Sequence, residues 1–486
     1  MPPKQTLDKV TWQWAESTDP NNIKLEHVRT AYRLNVKPCK PGSCRRNCKT
    51  NPYCLNAIGE RSWFTERNDD SWHDIEDPNE QRRADNTYAG LKNLGATCYV
   101  NTFLQLWFHN PIIRTAIYKF REQDPPLTEK EIEVWLPSSI GGHLQALFAS
   151  LEFTKRASVD PDSFITHLGL DAGQQQDAQE FSKLFLCLLE DALSQQDVSV
   201  RNVIQQQFRG DYAYVTTCSK CGNSSERLSE FYELDLNIRG HKTLEESILD
   251  FLGEEKLDGD NQYMCSHCSS KQNAKRAIQL KNLPPVLNLQ LLRFVFDKKS
   301  GHKKKLNSFI QFPEVLDMGK ILEKSKSKAG NQKSDDKEGT SSNEQCSSSS
   351  AEQSSSVYQN GNNIYDLKAV LIHRGPTAYS GHYTAHIKKN DVWYKFNDEE
   401  VEKMKGSNLH LGMEDDLQEG SVKQKGSCPK GYYSSRNAYM LVYEVRTNDS
   451  NEPNGKQKEL SVNASELLPY HVMEYVTGIM RVLNSG

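Results

Sequence analysis

The chain has 486 residues, 36% of them hydrophobic and 26% charged, with a formal net charge of −4, which suits a few domains or one large domain with insertions and allows a sizeable core. No basic stretch goes beyond Lys303-Lys304-Lys305, so nucleic acid and membrane surfaces get no electrostatic support and the expected partner is protein. Neither a signal-peptide core nor a bilayer-length apolar run is present; the expected compartment is nucleus or cytoplasm, where the 12 cysteines read first as thiols, metal ligands or a nucleophile.

Residues 1–88 are polar and sprinkled with cysteine, with a helical patch at Lys24 to Leu34, and read as an N-terminal extension. Its Cys39, Cys44, Cys48 and Cys54 are separated by four, three and five residues, a pattern that fits no zinc knuckle, so free thiols are expected there. From 89 to 444 helical periodicity comes first and strands follow from Tyr212 onward, an α+β pattern.

Early in that domain stands "NLGATCYVN". Gly90 and Gly95 bracket a tight stretch, after which Val100, Phe103, Leu104, Trp107 and Phe108 keep helical spacing until Asn110-Pro111. Cys98 is therefore expected at a helix N-terminus, where unpaired N–H groups and the helix dipole favour a thiolate. The position alone leaves two readings open, a nucleophile or a small buried hydrophobe. Cys187, inside an apolar helix, and Cys346, in a polar tract, compete poorly. The segment "GQQQDAQEFSKLFLCLLEDAL" follows, with Asp177 three residues before Glu180 as a capping-box start and Ala178, Phe181, Phe185, Leu188 and Ala192 along one face.

"CSKC" and "CSHC" place Cys218, Cys221, Cys265 and Cys268 in two C-x-x-C pairs beside strand-like sequence. Four thiolates so paired suit a structural zinc closed to substrate, with no catalytic cofactor implied. Between about 324 and 363 a Ser/Lys/Glu tract is too poor in apolar residues to offset its ordering entropy and is expected to be disordered. "AVLIHRG" and "GHYTAHIKKNDVWYKFND" then read as strands, the second a hairpin. A turn at Lys389-Asn390 puts His382 opposite Asn397; moving it by one residue puts His382 opposite Glu399 with Asn397 diagonal. Either way Asn397 or Asp398 reaches the ring, the arrangement that orients an imidazole beside a thiol. Spacing does not choose among His373, His382 and His386 as the base. Residues 445–486 are a polar linker and a segment with Val472, Val476, Ile479 and Leu483 at helical spacing.

With "GLKNLGATCYVNTFLQ", "QQQDAQEF", "LPPVLNLQLLRF", "SGHYTAH", "WYKFND" and "NAYMLVY" in this order, the chain resembles the ubiquitin-specific proteases over roughly residues 88 to 444. The resemblance implies a papain-like cysteine peptidase with thumb, palm and fingers subdomains, a zinc-ribbon-like fingers tip, and ubiquitin and ubiquitinated proteins as partners. It implies that Cys98 is the nucleophile, His382 the general base and acid, Asn397 the orienting third member with Asp398 beside it, and Asn93 the oxyanion-hole side chain. Gln175 and Asp177 are implied to bind the extended ubiquitin tail, and Tyr99 and Tyr383 to line a narrow channel that admits only Gly-Gly. Many members of that family carry Asn where Ala96 stands and Asp where Asn397 stands, which leaves open whether Asn397 or Asp398 matters more.

Overall fold

The computed structural model describes residues 81–297, 301–331, 363–446 and 464–484, apart from 86, 127, 378–379, 406–408 and 413–427, together with 14, 17–24 and 27. The chain divides into two units, Met1–Asp77 and Pro78–Gly486. In the first, Pro20–Asn22 forms a 3-10 turn and the Trp14 indole stacks on the His27 ring at 4.8 Å. Most of the helix expected over Lys24 to Leu34, and all of Cys39, Cys44, Cys48 and Cys54, lie outside the described residues.

The second unit starts ahead of the expected boundary at 88. Arg82 bridges Arg156, and the Arg83 guanidinium donates to the carbonyls of Leu151 and Glu152 at 3.0 and 2.8 Å, which ties this stretch to the main body.

Four helices pack together: α1 (Cys98–Phe108), α2 (Pro111–Tyr118), α3 (Ile140–Phe153) and α4 (Ala178–Leu193). Asn110 separates the first two because its side chain accepts from the N–H groups of Ile112 and Ile113 while Pro111 takes the first position of the next helix. Trp107 stacks on Phe185 at 4.8 Å and Tyr99 meets Phe181 edge-on at 5.3 Å. Truncating Trp107 to Ala would cost about 3–5 kcal/mol. The buried stripe of α4 is Ala178, Phe181, Ser182, Phe185, Leu186, Leu189 and Leu193; Leu188, expected on it, is 44% exposed, and Cys187 is exposed too. One residue of rotation moves both out of the core.

The strands, in chain order, are β1 (Gly90–Leu91), β2 (Ser158–Val159), β3 (Gly210–Cys218), β4 (Ser224–Phe231), β5 (Leu234–Leu236), β6 (Glu255–Leu257), β7 (Tyr263–Cys265), β8 (Ser270–Gln272), β9 (Ala274–Asn282) and β10 (Val286–Leu291). They continue with β11 (Phe294–Asp297), β12 (His302–Lys305), β13 (Ile310–Pro313), β14 (Val315–Asp317), β15 (Ile364–Thr377), β16 (Ser380–Lys389), β17 (Val392–Asn397), β18 (Glu400–Lys403), β19 (Tyr432–Ser435) and β20 (Ala438–Val445). The main sheet runs β18-β17-β16-β15-β20-β10-β5 with β14 beside β15, and every residue of β10 is buried, as a strand covered on both faces requires. A separate four-stranded sheet runs β4-β3-β9-β6. The α+β expectation holds.

Helix α5 (Leu244–Phe251) and helix α6 (Met318–Asn331) are joined by a 2.7 Å ion pair between Lys324 and Glu245. The tract expected to be disordered from 324 therefore begins as helix through Asn331; residues 332–362 lie outside the described ones. Helix α7 (Tyr470–Asn484) is no detached segment. Val472 and Val476 are fully buried, and His471 sits edge-on to Trp135 at 4.6 Å, so the expected boundary at 445 does not separate it from the main body.

Candidate active site

Cys98 opens α1 and is 3% exposed. The turn before it depends on two glycines. Gly95 has φ +132°, and a Cβ there would come 2.9 Å from the Ala172 carbonyl oxygen, which accepts the Ala96 N–H at 2.7 Å. A Cβ on Gly90 would sit 2.3 and 2.5 Å from the carbonyl oxygens of Glu399 and Asp398. That contact brings the segment before the cysteine against the end of β17.

His382 is on β16, which packs on α1. Its Nε2 lies 2.6 Å from Asn397 Oδ1, which leaves Nδ1 for the Cys98 sulfur. The hydrogen bond with that sulfur is the first cause, ahead of the Asn397 bond and the Asp398 charge, of an imidazole pKa raised to about 9. The other two candidate histidines sit in different surroundings. His373 is fully buried and His386 1% exposed, and burial drives both to about 3. The hairpin turn falls at Asn390-Asp391, both at positive φ, with Lys389 paired to Val392. This is one residue beyond Lys389-Asn390 and gives the diagonal alternative, in which Asn397 reaches across to the ring.

Asp398 takes a different part. Its carboxylate is 3.8 Å from His382 Nε2 and its side chain is 7% exposed. One oxygen accepts from Asn93 Nδ2 at 2.9 Å and the other from Asn101 Nδ2 at 2.8 Å. Burial raises its pKa, and those two bonds and His382 oppose the rise. Asp398 thus joins the strand carrying the histidine side to both ends of the segment carrying the cysteine. Glu399 adds a second link by accepting the Asn93 N–H at 2.8 Å. Neither Asn101 nor Glu399 was among the expected site residues. Asn101 is one of three buried polar side chains of α1, with Thr102 and Gln105, and nothing in the sequence marks it out from the other two.

Asn93 does not stand free. Its Oδ1 accepts from the Gly95 N–H at 3.0 Å and the Thr97 N–H at 3.3 Å, and one Nδ2–H is given to Asp398. Asp177 caps α4, accepting from the Gln179 N–H at 3.0 Å, so the expected reciprocal box with Glu180 is replaced by a bond one residue earlier. Gln175 keeps a buried Nε2 with no acceptor among the described residues. Tyr99 and Tyr383 are each 1% exposed, packed on Phe181 and on His373 and Tyr439 respectively. Both side chains are packed within the body. Burial, then the neighbouring Cys98, pushes the Tyr99 hydroxyl up to about 12.

The sulfurs of Cys218, Cys221, Cys265 and Cys268 all lie within 4.8 Å of one another. Gly222 and Ser269, each just after the second cysteine of a pair, have φ +74° and +52°, which bends each pair into a tight turn, and the Cys268 N–H points to Cys265 Sγ at 3.5 Å. Cys218 and Cys265 are buried. Four converging thiols from two turns fit the donor set of a structural zinc and leave no position for substrate.

Residues 89–443 match the family model described as ubiquitin carboxyl-terminal hydrolase. The chain is 53% identical over 460 residues to ubiquitin carboxyl-terminal hydrolase 48 of Danio rerio, covering 93% of this chain and 40% of that protein. It is 50% identical over 456 residues to the protein of the same name in Gallus gallus, covering 92% and 41%. Ubiquitin carboxyl-terminal hydrolase 26 of Arabidopsis thaliana is 33% identical over 501 residues, covering 95% and 43%. The chain spans about two fifths of the length of these relatives.

Proposed function

Because the chain belongs to the ubiquitin carboxyl-terminal hydrolase family, we propose that it is a cysteine-type deubiquitinase that hydrolyses the bond after the C-terminal glycine of ubiquitin in conjugates or chains. The observation that carries this reading is the 2.6 Å contact of His382 Nε2 with Asn397 Oδ1, on a histidine whose pKa is raised first of all by Cys98. In this reading the helical layer, the main sheet and the four-stranded sheet are the thumb, palm and fingers.

The chemistry follows from the proton positions. His382 takes the Cys98 proton and is held as imidazolium by the thiolate and by Asn397, which orients the ring without adding charge. The thiolate attacks the glycine carbonyl. One remaining Nδ2–H of Asn93 and the N–H groups at the head of α1 are the donors for the oxyanion; losing one such donor costs about 2.7–4 kcal/mol of barrier. His382 then protonates the departing lysine amine, leaving a thioester, and next removes a proton from the water that releases ubiquitin. Gln175, with its unpartnered buried amide, and Asp177, at the head of α4, are the groups proposed for the ubiquitin tail. Tyr99 and Tyr383 would bound its path from below.

Cys218, Cys221, Cys265 and Cys268 would hold zinc, which supplies a cross-link between two turns and no step of the reaction.

The test is the intact mass of this chain after exposure to ubiquitin bearing a C-terminal electrophile, beside Cys98→Ala. One adduct on the parent and none on the variant is expected. Absence of adduct on folded, zinc-loaded parent would replace the enzyme by a ubiquitin-binding scaffold.

A further inference from the structure

A cavity of about 250 Å3 lies between α3, β2, the short helix Asp162–His167 and α7. Its walls are mixed: Leu147, Val159, Phe164 and the ring of Tyr475 supply the apolar part, and His143, Ser150, Thr154, Arg156, Asp160 and Ser163 the polar part. None of the groups assigned to the reaction lines it.

Arg156 is the unusual member. Its Nε is buried without an acceptor, and among the described residues its guanidinium has no hydrogen-bond or ion-pair partner. A buried donor in that condition calls for an acceptor from outside the chain. The nearby carboxylates are committed elsewhere. Asp160, which also lines the cavity, is paired with Lys92 at 3.1 Å, and Glu152 faces Arg114 at 3.7 Å. The cavity therefore offers one half-buried planar cation, its Nε without an acceptor, beside an apolar wall. A second polar contact is available at its rim, where Ser163 Oγ and His143 Nδ1 are 3.0 Å apart.

We propose that this cavity is a binding site for a small apolar carboxylate, its anionic group on the Arg156 guanidinium and its hydrocarbon or aromatic body against Leu147, Val159, Phe164 and Tyr475. A carboxylate matches the fork of guanidinium donors and an uncharged amide does not. The volume falls below the ~300–1,000 Å3 of pockets for drug-sized ligands, so the ligand is of the order of one ring system plus its acid group. The proposal does not depend on the hydrolase reading, because none of its residues takes part in that chemistry.

Calorimetric titration of the full chain with indole-3-acetate and with its neutral counterpart indole-3-acetamide tests it. Saturable binding of the acid is expected, with the amide about tenfold weaker or worse. Arg156→Met should weaken the acid by a similar factor and bring acid and amide to parity. Ser163→Trp, which blocks the rim from an exposed position and leaves the arginine in place, should abolish binding of both, and it serves if Arg156→Met fails to fold. Equal binding of acid and amide by the parent, undiminished binding by Ser163→Trp, or no saturable binding of the acid at millimolar concentration would each overturn the assignment.

Discussion

Nε2 of His382 and Oδ1 of Asn397 are 2.6 Å apart, whereas the Asp398 carboxylate is 3.8 Å from the same nitrogen and accepts from two asparagine amides, one on each oxygen. The two neighbours therefore divide their labour: one orients the ring, and the other fastens the strand end to the cysteine segment. Asn397→Ala should lower kcat strongly with little change in Tm. Asp398→Ala removes the acceptor of the Asn93 amide and the shortest of the acceptors around the Asn101 amide, which keeps the Lys92 carbonyl at 3.2 Å, at roughly 1 kcal/mol per lost bond, and should lower Tm as well as kcat. Steady-state hydrolysis of a ubiquitin conjugate and thermal unfolding of both variants check this; a larger kcat loss at 398 with unchanged Tm would exchange the two roles.

The imidazole of His382 titrates near 9 when folded against about 6.5 for a free histidine. A pKa raised by folding gives stability that is fully present below pH about 6.5 and lost as pH rises through about 9. His373 and His386, lowered to about 3, act in the opposite sense: their contribution is present above about 6.5 and fades as pH falls towards 3. The kcat/KM profile should show an alkaline limb near pH 9, moved to lower pH in Asn397→Ala. A limb that does not move would detach it from His382.

The four converging cysteines predict one equivalent of zinc per chain. Cys218→Ser should lose the metal and lower Tm, with the greatest gain in hydrogen exchange at β3, β7 and β9, while the environment of Cys98 and His382 is retained. Metal analysis and exchange mass spectrometry would decide; stoichiometric zinc persisting in Cys218→Ser would point to a different ligand set.

Helix α6 ends at Asn331, and the described chain resumes at Asn363, whose carbonyl accepts the Met318 N–H at 2.9 Å. Replacing 332–362 with a Gly-Ser linker of about eight residues should change stability by less than about 1 kcal/mol, since closure entropy varies only slowly with loop length. A drop of many degrees in Tm would mean that the replaced stretch packs on the body.

Local signals were legible in the sequence where a single segment settles its own structure. The glycine turn into α1, the Asn110-Pro111 break, the C-x-x-C pairs and the strand character around His382 were all of this kind. The rest depended on partners far along the chain. Nothing local reveals that Asn93 and Asn101 meet Asp398, some 300 residues later, or that Gly90 is a glycine because two carbonyl oxygens occupy the place of its Cβ. Helical spacing fixed α4 but not its rotation, so Leu188 was expected inside. Nor does anything local show that Tyr99 packs on Phe181 and Tyr383 on His373 and Tyr439.

The register of β14 on β15, with Val315 opposite Asp366 and Asp317 opposite Ile364, pairs strands that stand on either side of residues 332–362. A polypeptide cut between 332 and 362 would thus yield two pieces whose partners in the main sheet lie on both sides of the cut. One piece carries Cys98 and the four paired cysteines; the other carries His382, Asn397 and Asp398. Expressed separately, each lacks half of the reactive pair, so thiol reactivity recovered on mixing would report reassembly of the sheet directly.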